Sequence, residues 1–263
     1  MARMLIFGMG YAAGHLAARL NARGWEVAGT TQDGRNGSIA SGDEAAVIGA
    51  LRSATHILSS VPPAGGVDPV LARYGQALGV APATWVGYLS STGVYGDAGG
   101  AWVDESAPVK GRRADRNAAD AAWQVLRSDV RVFRLPGIYG PGRSILDRIS
   151  EGRAHRINLP DQVFSRVHVD DIAGGVIASF RGPAGAYNLA DDEPCHQNRL
   201  VEWCCAMTGA GLPRLQTLDE AGLSPAARAF YAENRRVANG KAKRLLGWTP
   251  RYPTFREGLA ALV

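Results

Sequence analysis

Met4-Leu5-Ile6-Phe7-Gly8-Met9-Gly10-Tyr11-Ala12-Ala13-Gly14-His15-Leu16 opens as an apolar strand, passes through a glycine turn and continues as a helix. A second strand, Trp25-Glu26-Val27-Ala28-Gly29-Thr30, follows. The G-x-G-x-x-A spacing from Gly8 to Ala13 is that of a dinucleotide-binding fingerprint, and strand–turn–helix–strand is the context in which that fingerprint carries weight. Gly8 permits the tight turn, Gly10 lets the backbone approach a pyrophosphate, and Ala13 lets the helix lie close on the strand. The N–H groups of the first helical turn, from Tyr11 and Ala12 onward, are left to meet an anion. A tight turn in some other α/β protein is the alternative reading.

Outward from this turn the alternation continues. A polar loop over 32–42 leads to a helix over 43–52, then to an apolar strand over 55–61 stopped by Pro62-Pro63. Residues 68–80 read as a helix, with Leu71, Tyr74, Ala77 and Leu78 at helical spacing. A strand over 84–90, a helix over 110–127 and a strand over 130–135 come next. Strands alternating with helices predict a parallel sheet covered on both faces, a Rossmann-type doubly wound α/β fold. After Pro136 the regularity weakens. Helices are expected over 145–151, 169–180 and 197–208, a short strand over 186–189, and a last helix that Gly247 and Pro250 close behind Leu246. The expected organisation is a dinucleotide-binding domain over 1–140, to which 165–191 return. A smaller substrate lobe is expected from 141–164 and 192–263. In open α/β sheets the ligand lies beyond the carboxyl ends of the strands, so that lobe should cover the cleft there.

The 263 residues, 46% of them hydrophobic, suffice for one large core with a small lobe. Arg3 ahead of an apolar stretch resembles a signal peptide superficially, but the glycine turn accounts for that stretch better, and no apolar run of about eighteen residues predicts a membrane span. Cys195, Cys204 and Cys205 suit reduced thiols of a cytoplasmic protein, since adjacent helical residues point apart; no metal site is expected. The charge of +5 comes almost wholly from arginine, with Lys110, Lys241 and Lys243 the only lysines. The basic residues are scattered rather than striped among aromatics, which fits an anionic small molecule and argues against nucleic acid.

Leu89-Ser90-Ser91-Thr92-Gly93-Val94-Tyr95-Gly96 resembles the extended short-chain dehydrogenases/reductases, the NAD-dependent epimerase/dehydratase family. Three further segments are similar in order: Arg134-Leu135-Pro136-Gly137-Ile138-Tyr139-Gly140-Pro141-Gly142, Val167-His168-Val169-Asp170-Asp171-Ile172-Ala173, and Leu245-Leu246-Gly247-Trp248-Thr249-Pro250. The resemblance implies an oxidoreductase or epimerase-like chemistry on a small hydroxy or carbonyl compound, with nucleotide sugars in range. It also implies a homodimer. The family's catalytic Y-x-x-x-K, laid on this chain, becomes Arg112 and Arg116, which an i, i+4 spacing would set on one helix face. Arginine essentially cannot release a proton, so the proton-shuttling step does not survive the exchange. The chain therefore resembles an atypical member.

By that resemblance Ser91 holds the substrate oxygen, Arg112 polarises it, Arg116 reaches the nicotinamide ribose, and a water or Tyr95 supplies the proton, a structural role being the alternative for Tyr95. Leu135, Pro136 and Ile138 are expected beside the nicotinamide, with Ser90 close by. Ser60, Val61 and Pro62 end a strand on the cofactor side. Thr92 and Gly137, the latter where the family has asparagine, are expected at the substrate, with Arg143 and Arg166 holding a phosphate or carboxylate. The end of the second strand, Thr30-Thr31-Gln32, offers no acid to a ribose, whereas Arg35 suits a 2′-phosphate; the cofactor expectation is NADP or NAD, tilted to NADP. Asp170 and Asp171 are expected to cap their helix rather than bind metal. Two functions stay open: an enzyme with an altered site, or a dinucleotide-binding sensor or partner protein without turnover.

Overall fold

A computed structural model describes residues 2–263. In chain order the first half builds β1 (Arg3–Phe7), α1 (Tyr11–Asn21), β2 (Glu26–Thr31), β3 (Ile39–Ala40), α2 (Glu44–Ser53), β4 (His56–Ser59), α3 (Pro69–Gly79) and β5 (Trp85–Ser91). Then come β6 (Trp102–Val103), α4 (Ala114–Leu126), β7 (Val130–Leu135), β8 (Gly137–Tyr139), α5 (Ile145–Ser150), β9 (Arg156–Ile157), β10 (Arg166–His168) and α6 (Val169–Ala178). The remainder forms β11 (Gly185–Asn188), α7 (Gln197–Thr208), β12 (Leu215–Gln216), α8 (Pro225–Phe230), β13 (Arg236–Val237), α9 (Gly240–Leu246) and α10 (Phe255–Ala260).

Seven strands form one sheet in the order β11-β7-β5-β4-β1-β2-β3, with every neighbouring pair parallel. Because side chains alternate across a strand, β1 serves two cores at once. Met4 and Ile6 pack with Leu16 and Leu20 of α1 and with Ile172 and Val176 of α6. Leu5 and Phe7 pack with Val47 of α2, Tyr74 of α3 and Trp123 of α4 on the other face. A strand buried on both sides needs an unbroken apolar run, which is why β1 is legible as one. The strand order reverses around β1, which lies between β2 and β4, so the crevice opens at their carboxyl ends, where the glycine turn is.

Caps fix where the flanking helices begin. Asp68 accepts from the N–H groups of Val70 and Leu71 through one oxygen and from the Trp123 indole at 2.8 Å through the other, so it caps α3 and ties it to α4. The helix expected over 110–127 begins only at Ala114. Lys110 and Gly111 instead donate their N–H groups to the Val94 carbonyl, each at 2.8 Å, which holds that stretch against the loop after β5.

Beyond β7 the pairing is short. β8 pairs with β10, β9 with β12 and β6 with β13, each a two-stranded parallel ladder, while β11 returns to the main sheet beside β7. A separate apolar cluster of Tyr139, Cys195, Leu200, Cys204, Phe255 and Leu259 joins α7 and α10 to the strand β8. The three cysteines are buried free thiols. Among the described residues no helix is long and apolar enough to cross a membrane, and no group of three His, Cys, Asp or Glu side chains is disposed to hold a metal ion.

Candidate functional site

The glycine turn is held from three sides. Gly8 has φ +85°, its N–H donates to Thr30 Oγ1 at 3.1 Å, and its carbonyl accepts from Ser60 Oγ at 2.5 Å. A Cβ there would lie 2.8 Å from Val61 Cγ2, so both conformation and space demand glycine. Gly10 differs. Its backbone is extended, φ −81° and ψ −170°, and a Cβ would meet nothing within 4 Å. No protein contact asks for glycine at position 10, which borders open space. Gly10 also caps α1 without a side-chain acceptor, so the N–H groups of Tyr11, Ala12 and Ala13 face that space with no partner from the helix.

Tyr11 and Arg143 form the rim of this space. The Tyr11 hydroxyl donates to the Pro141 carbonyl at 3.0 Å, and the Arg143 guanidinium lies 5.6 Å from the Tyr11 ring. Burial raises the Tyr11 phenol above its ordinary range, with Arg143 opposing the rise. Arg143, expected at the substrate, thus stands beside Tyr11 at the start of α1, in a tight turn bridged from Gly140 to Arg143. At the end of β2, Thr31 Oγ1 donates to Asp33 at 3.2 Å, and Gln32 and Arg35 are exposed. The Arg35 Nε lies 3.9 Å from the Asp33 carboxylate, so an acid and a cation stand together there. Ser60 and Val61 lie against Gly8, and Pro62 after them is exposed.

Ser91 ends β5 at the same edge of the sheet, and its Oγ accepts from the Gly93 N–H at 3.1 Å. Four expected neighbours take other places. Ser90 points to the opposite face, where it donates to Asp120 at 2.6 Å, because adjacent strand residues alternate. Thr92 is buried with its hydroxyl on the Leu135 carbonyl at 3.5 Å rather than towards a substrate. Tyr95 is 1% exposed; its hydroxyl donates to Asn188 at 2.7 Å and accepts from Arg134 at 3.1 Å. It is a structural residue and no proton donor. Arg112 precedes the helix, so it shares no helical face with Arg116. It reaches across to Glu233 at 2.7 Å and to the Ala229 carbonyl at 2.9 Å.

Arg116 sits in the first turn of α4, on the inward stripe with Ala119, Asp120 and Trp123. It is half-buried, and its guanidinium has no acceptor among the described residues. Burial, with Arg113 nearby, lowers its pKa from the ordinary arginine value. Arg134, the start of the segment that also carries Leu135, Pro136, Gly137 and Ile138, forms a buried ion pair with Asp120 at 2.7 Å. Sequence reading missed Asp120 because nothing local marks a partner fourteen residues away.

β8 and β10 carry the far wall, with Gly137 opposite Arg166 in their register. Arg166 is no open anion holder. It is 7% exposed, and its guanidinium donates to the Phe164 carbonyl, to Cys195 and to Gln197. The acids after it also depart from expectation. His168 Nδ1 caps α6, because Asp171 turns inward to accept from the N–H groups of Arg251 and Tyr252, while Asp170 stands 3.3 Å from His15. Behind this wall Asp191 is 2% exposed, with neither carboxyl oxygen hydrogen-bonded among the described residues. Burial pushes its pKa up to about 8, with Arg166 opposing.

No protein-family model matches the chain. A conserved protein of unknown function from Silicibacter pomeroyi superposes with a TM-score of 0.87 at 39% identity, over all of this chain and 98% of that one. The human epimerase family protein SDR39U1, solved with NADPH, superposes with a TM-score of 0.78 at 19% identity, over 99% of this chain and 98% of that one. A Streptomyces protein named 3-diazoavenalumate denitrifying reductase is 30% identical over 181 residues, 60% of this chain; the match spans 58% of that reductase. The chain belongs to one family with the Silicibacter pomeroyi protein, and it shares its fold with the human epimerase family protein and other NAD-dependent epimerase/dehydratase structures.

Proposed function

We propose that the chain binds a nicotinamide dinucleotide and uses it to reduce or oxidise a small carbonyl or hydroxy compound. The observation that carries this reading is Gly10. Its backbone is ordinary, its missing side chain is needed by no protein contact, and the unpartnered N–H groups of Tyr11, Ala12 and Ala13 surround the space it leaves. A pyrophosphate satisfies all three features. Arg143 adds a cation at the rim, and Ser60, Val61 and Pro62 line the adenosine side. Leu135, Pro136 and Ile138 flank the nicotinamide end, where Arg116 has donors free for a ribose hydroxyl and Ser91 for a substrate oxygen. A bound reduced nicotinamide supplies the hydride; the chain's own residues orient the acceptor and exclude water.

Arg35 beside Asp33 favours NADP over NAD, with the guanidinium on the 2′-phosphate. NADPH and NADH are titrated by nicotinamide fluorescence at fixed ionic strength. Saturable micromolar binding of either supports the reading, and no binding of either removes it. A tenfold preference for NADH removes Arg35 from the argument.

A second reading, a dinucleotide-binding sensor or partner protein, is favoured by one observation: Arg112, which stands where the resemblance puts the proton-shuttling tyrosine, is committed to Glu233 and Ala229 and cannot give up a proton. A panel of aromatic aldehydes and ortho-quinones separates the two. Cofactor binding without oxidation of NAD(P)H across the panel supports the sensor. The reaction takes place in solution or the cytoplasm on this proposal, and a homodimer is expected.

A further inference from the structure

Tyr11 is the first residue of α1, so its N–H is one of those that the helix leaves without a partner, while its side chain is engaged elsewhere. The ring meets His15, one turn later, with centroids 4.9 Å apart at 61°. His15 Nδ1 lies 3.3 Å from an Asp170 carboxyl oxygen, and the Asp170 carbonyl accepts from Arg19 at 3.0 Å. The phenol is therefore braced where α1 packs on α6.

The turn over 140–143 is held far less. Gly140 and Arg143 exchange backbone hydrogen bonds at 3.1 and 3.0 Å, and Pro141, Gly142 and Arg143 are all exposed. Pro141 and Gly142 also border a hollow of about 330 Å³ whose other walls include Leu146 of α5 and Leu262 after α10. Tyr11 joins this turn to α1 twice. Its hydroxyl donates to the Pro141 carbonyl at 3.0 Å, and the Arg143 guanidinium lies 5.6 Å from its ring. Gly140, at φ +155°, permits the approach, since a Cβ there would stand 2.7 Å from Tyr11 Oη.

We infer that Tyr11 is a positioning residue whose hydroxyl latches the 140–143 turn to the start of α1 and so sets Arg143 as a second hold on the dinucleotide's pyrophosphate. The inference rests on the cofactor reading above and adds what governs how long the cofactor stays. The first turn of α1 offers a dianion only partial charges. A guanidinium adds a full charge and a charge-assisted hydrogen bond. On an unattached turn that arginine would have to be ordered at each binding event, and fixing the turn beforehand removes the cost. The latch is one neutral, partly exposed hydrogen bond, so it opens readily. Once it opens, the turn is free to move into the hollow beside Pro141 and the cofactor leaves.

Stopped-flow release of NADPH or NADH, whichever the protein binds, tests the latch with nicotinamide fluorescence as the signal. Tyr11→Phe keeps the ring and every charge and removes only the bond to Pro141. Its association rate, which charge steers, should match the parent's, and its melting temperature should not move. Its release should be about fivefold faster. Arg143→Gln should weaken binding about tenfold or more, with association slowed as well. Because Tyr11 acts through Arg143, the two changes combined should bind no more weakly than Arg143→Gln alone. In the parent protein, trypsin cleavage after Arg143, followed by mass spectrometry, should slow when the cofactor saturates. Unaltered release from Tyr11→Phe, full additivity of the two changes, undiminished binding by Arg143→Gln or unchanged cleavage after Arg143 each overturns the inference and leaves the cofactor reading intact. Absence of binding of either cofactor by the parent protein removes both.

Discussion

Asp191 is buried near Tyr139 and Arg166, with no side-chain donor bonded to its carboxyl among the described residues. Its ordinary pKa is 3.8, and burial raises it to about 8 in the fold. Between those two values the folded protein keeps a proton that the unfolded chain has released. Raising the pH through that window therefore favours unfolding. The melting temperature is expected to fall from about pH 5 to pH 8, and Asp191→Asn should flatten the slope and melt higher than the parent at pH 8. An unchanged slope in the variant places the origin elsewhere. The two glycines of the turn separate in the same way. Gly10→Ala meets no protein atom, so the melting temperature should hold while NADPH affinity drops at least tenfold. Gly8→Ala forces a left-handed backbone on alanine, costing about 1–2 kcal/mol from that alone, and should lose both stability and binding. If Gly10→Ala binds NADPH as the parent does, the space above α1 is not a pyrophosphate site.

The pair of β7 and α4 shows what one element asks of another. Arg134 on β7 and Asp120 on α4 are 3% and 0% exposed, and Ser90, Tyr95 and Gln124 complete their hydrogen bonds. Removing one partner strands a buried charge, so Arg134→Met should cost about 3–5 kcal/mol, read from urea unfolding. Asp120→Leu combined with Arg134→Met should recover much of that loss; a double variant as weak as the single one would sink the argument. This network explains what was legible in the sequence. The β1–α1–β2 unit could be read because each residue answers to neighbours within one turn or one strand. Ser90 and Tyr95 carried a motif but not the partners of their side chains, which are Asp120 for Ser90 and Arg134 and Asn188 for Tyr95, all distant in sequence. The start of α4 was misplaced for the same reason. Residues 110–113 have helical composition, and only the distant Val94 carbonyl draws Lys110 and Gly111 out of the helix.

Across the whole molecule, the two faces of the sheet and the segment before β13 are secured very differently. The sheet is packed on both sides by buried aliphatic and aromatic residues. The stretch over 219–234 rests mainly on polar ties: Arg228 to Asp219, Arg112 to Ala229 and Glu233, Gln162 to Glu233, and Asn234 to Asp97 and Asp161. Phe230 beside them is 68% exposed. Few buried apolar contacts and a surface-exposed backbone are the marks of a unit that opens before the core does. The Arg112 side chain is itself half exposed, so its ion pair adds only about 1 kcal/mol or less to global stability. Arg112→Ala should therefore shift the melting temperature by no more than roughly 2–4 °C. Amide hydrogen exchange over 225–233 should nonetheless accelerate several-fold, with the strands of the main sheet unaffected. Chymotrypsin, which cuts after aromatic residues, should nick the variant at Phe230 or Tyr231 well before the parent. Equal exchange in the two proteins would show that the segment is held without Arg112, and faster exchange spreading into β1 and β5 would show that the segment and the sheet open as one unit.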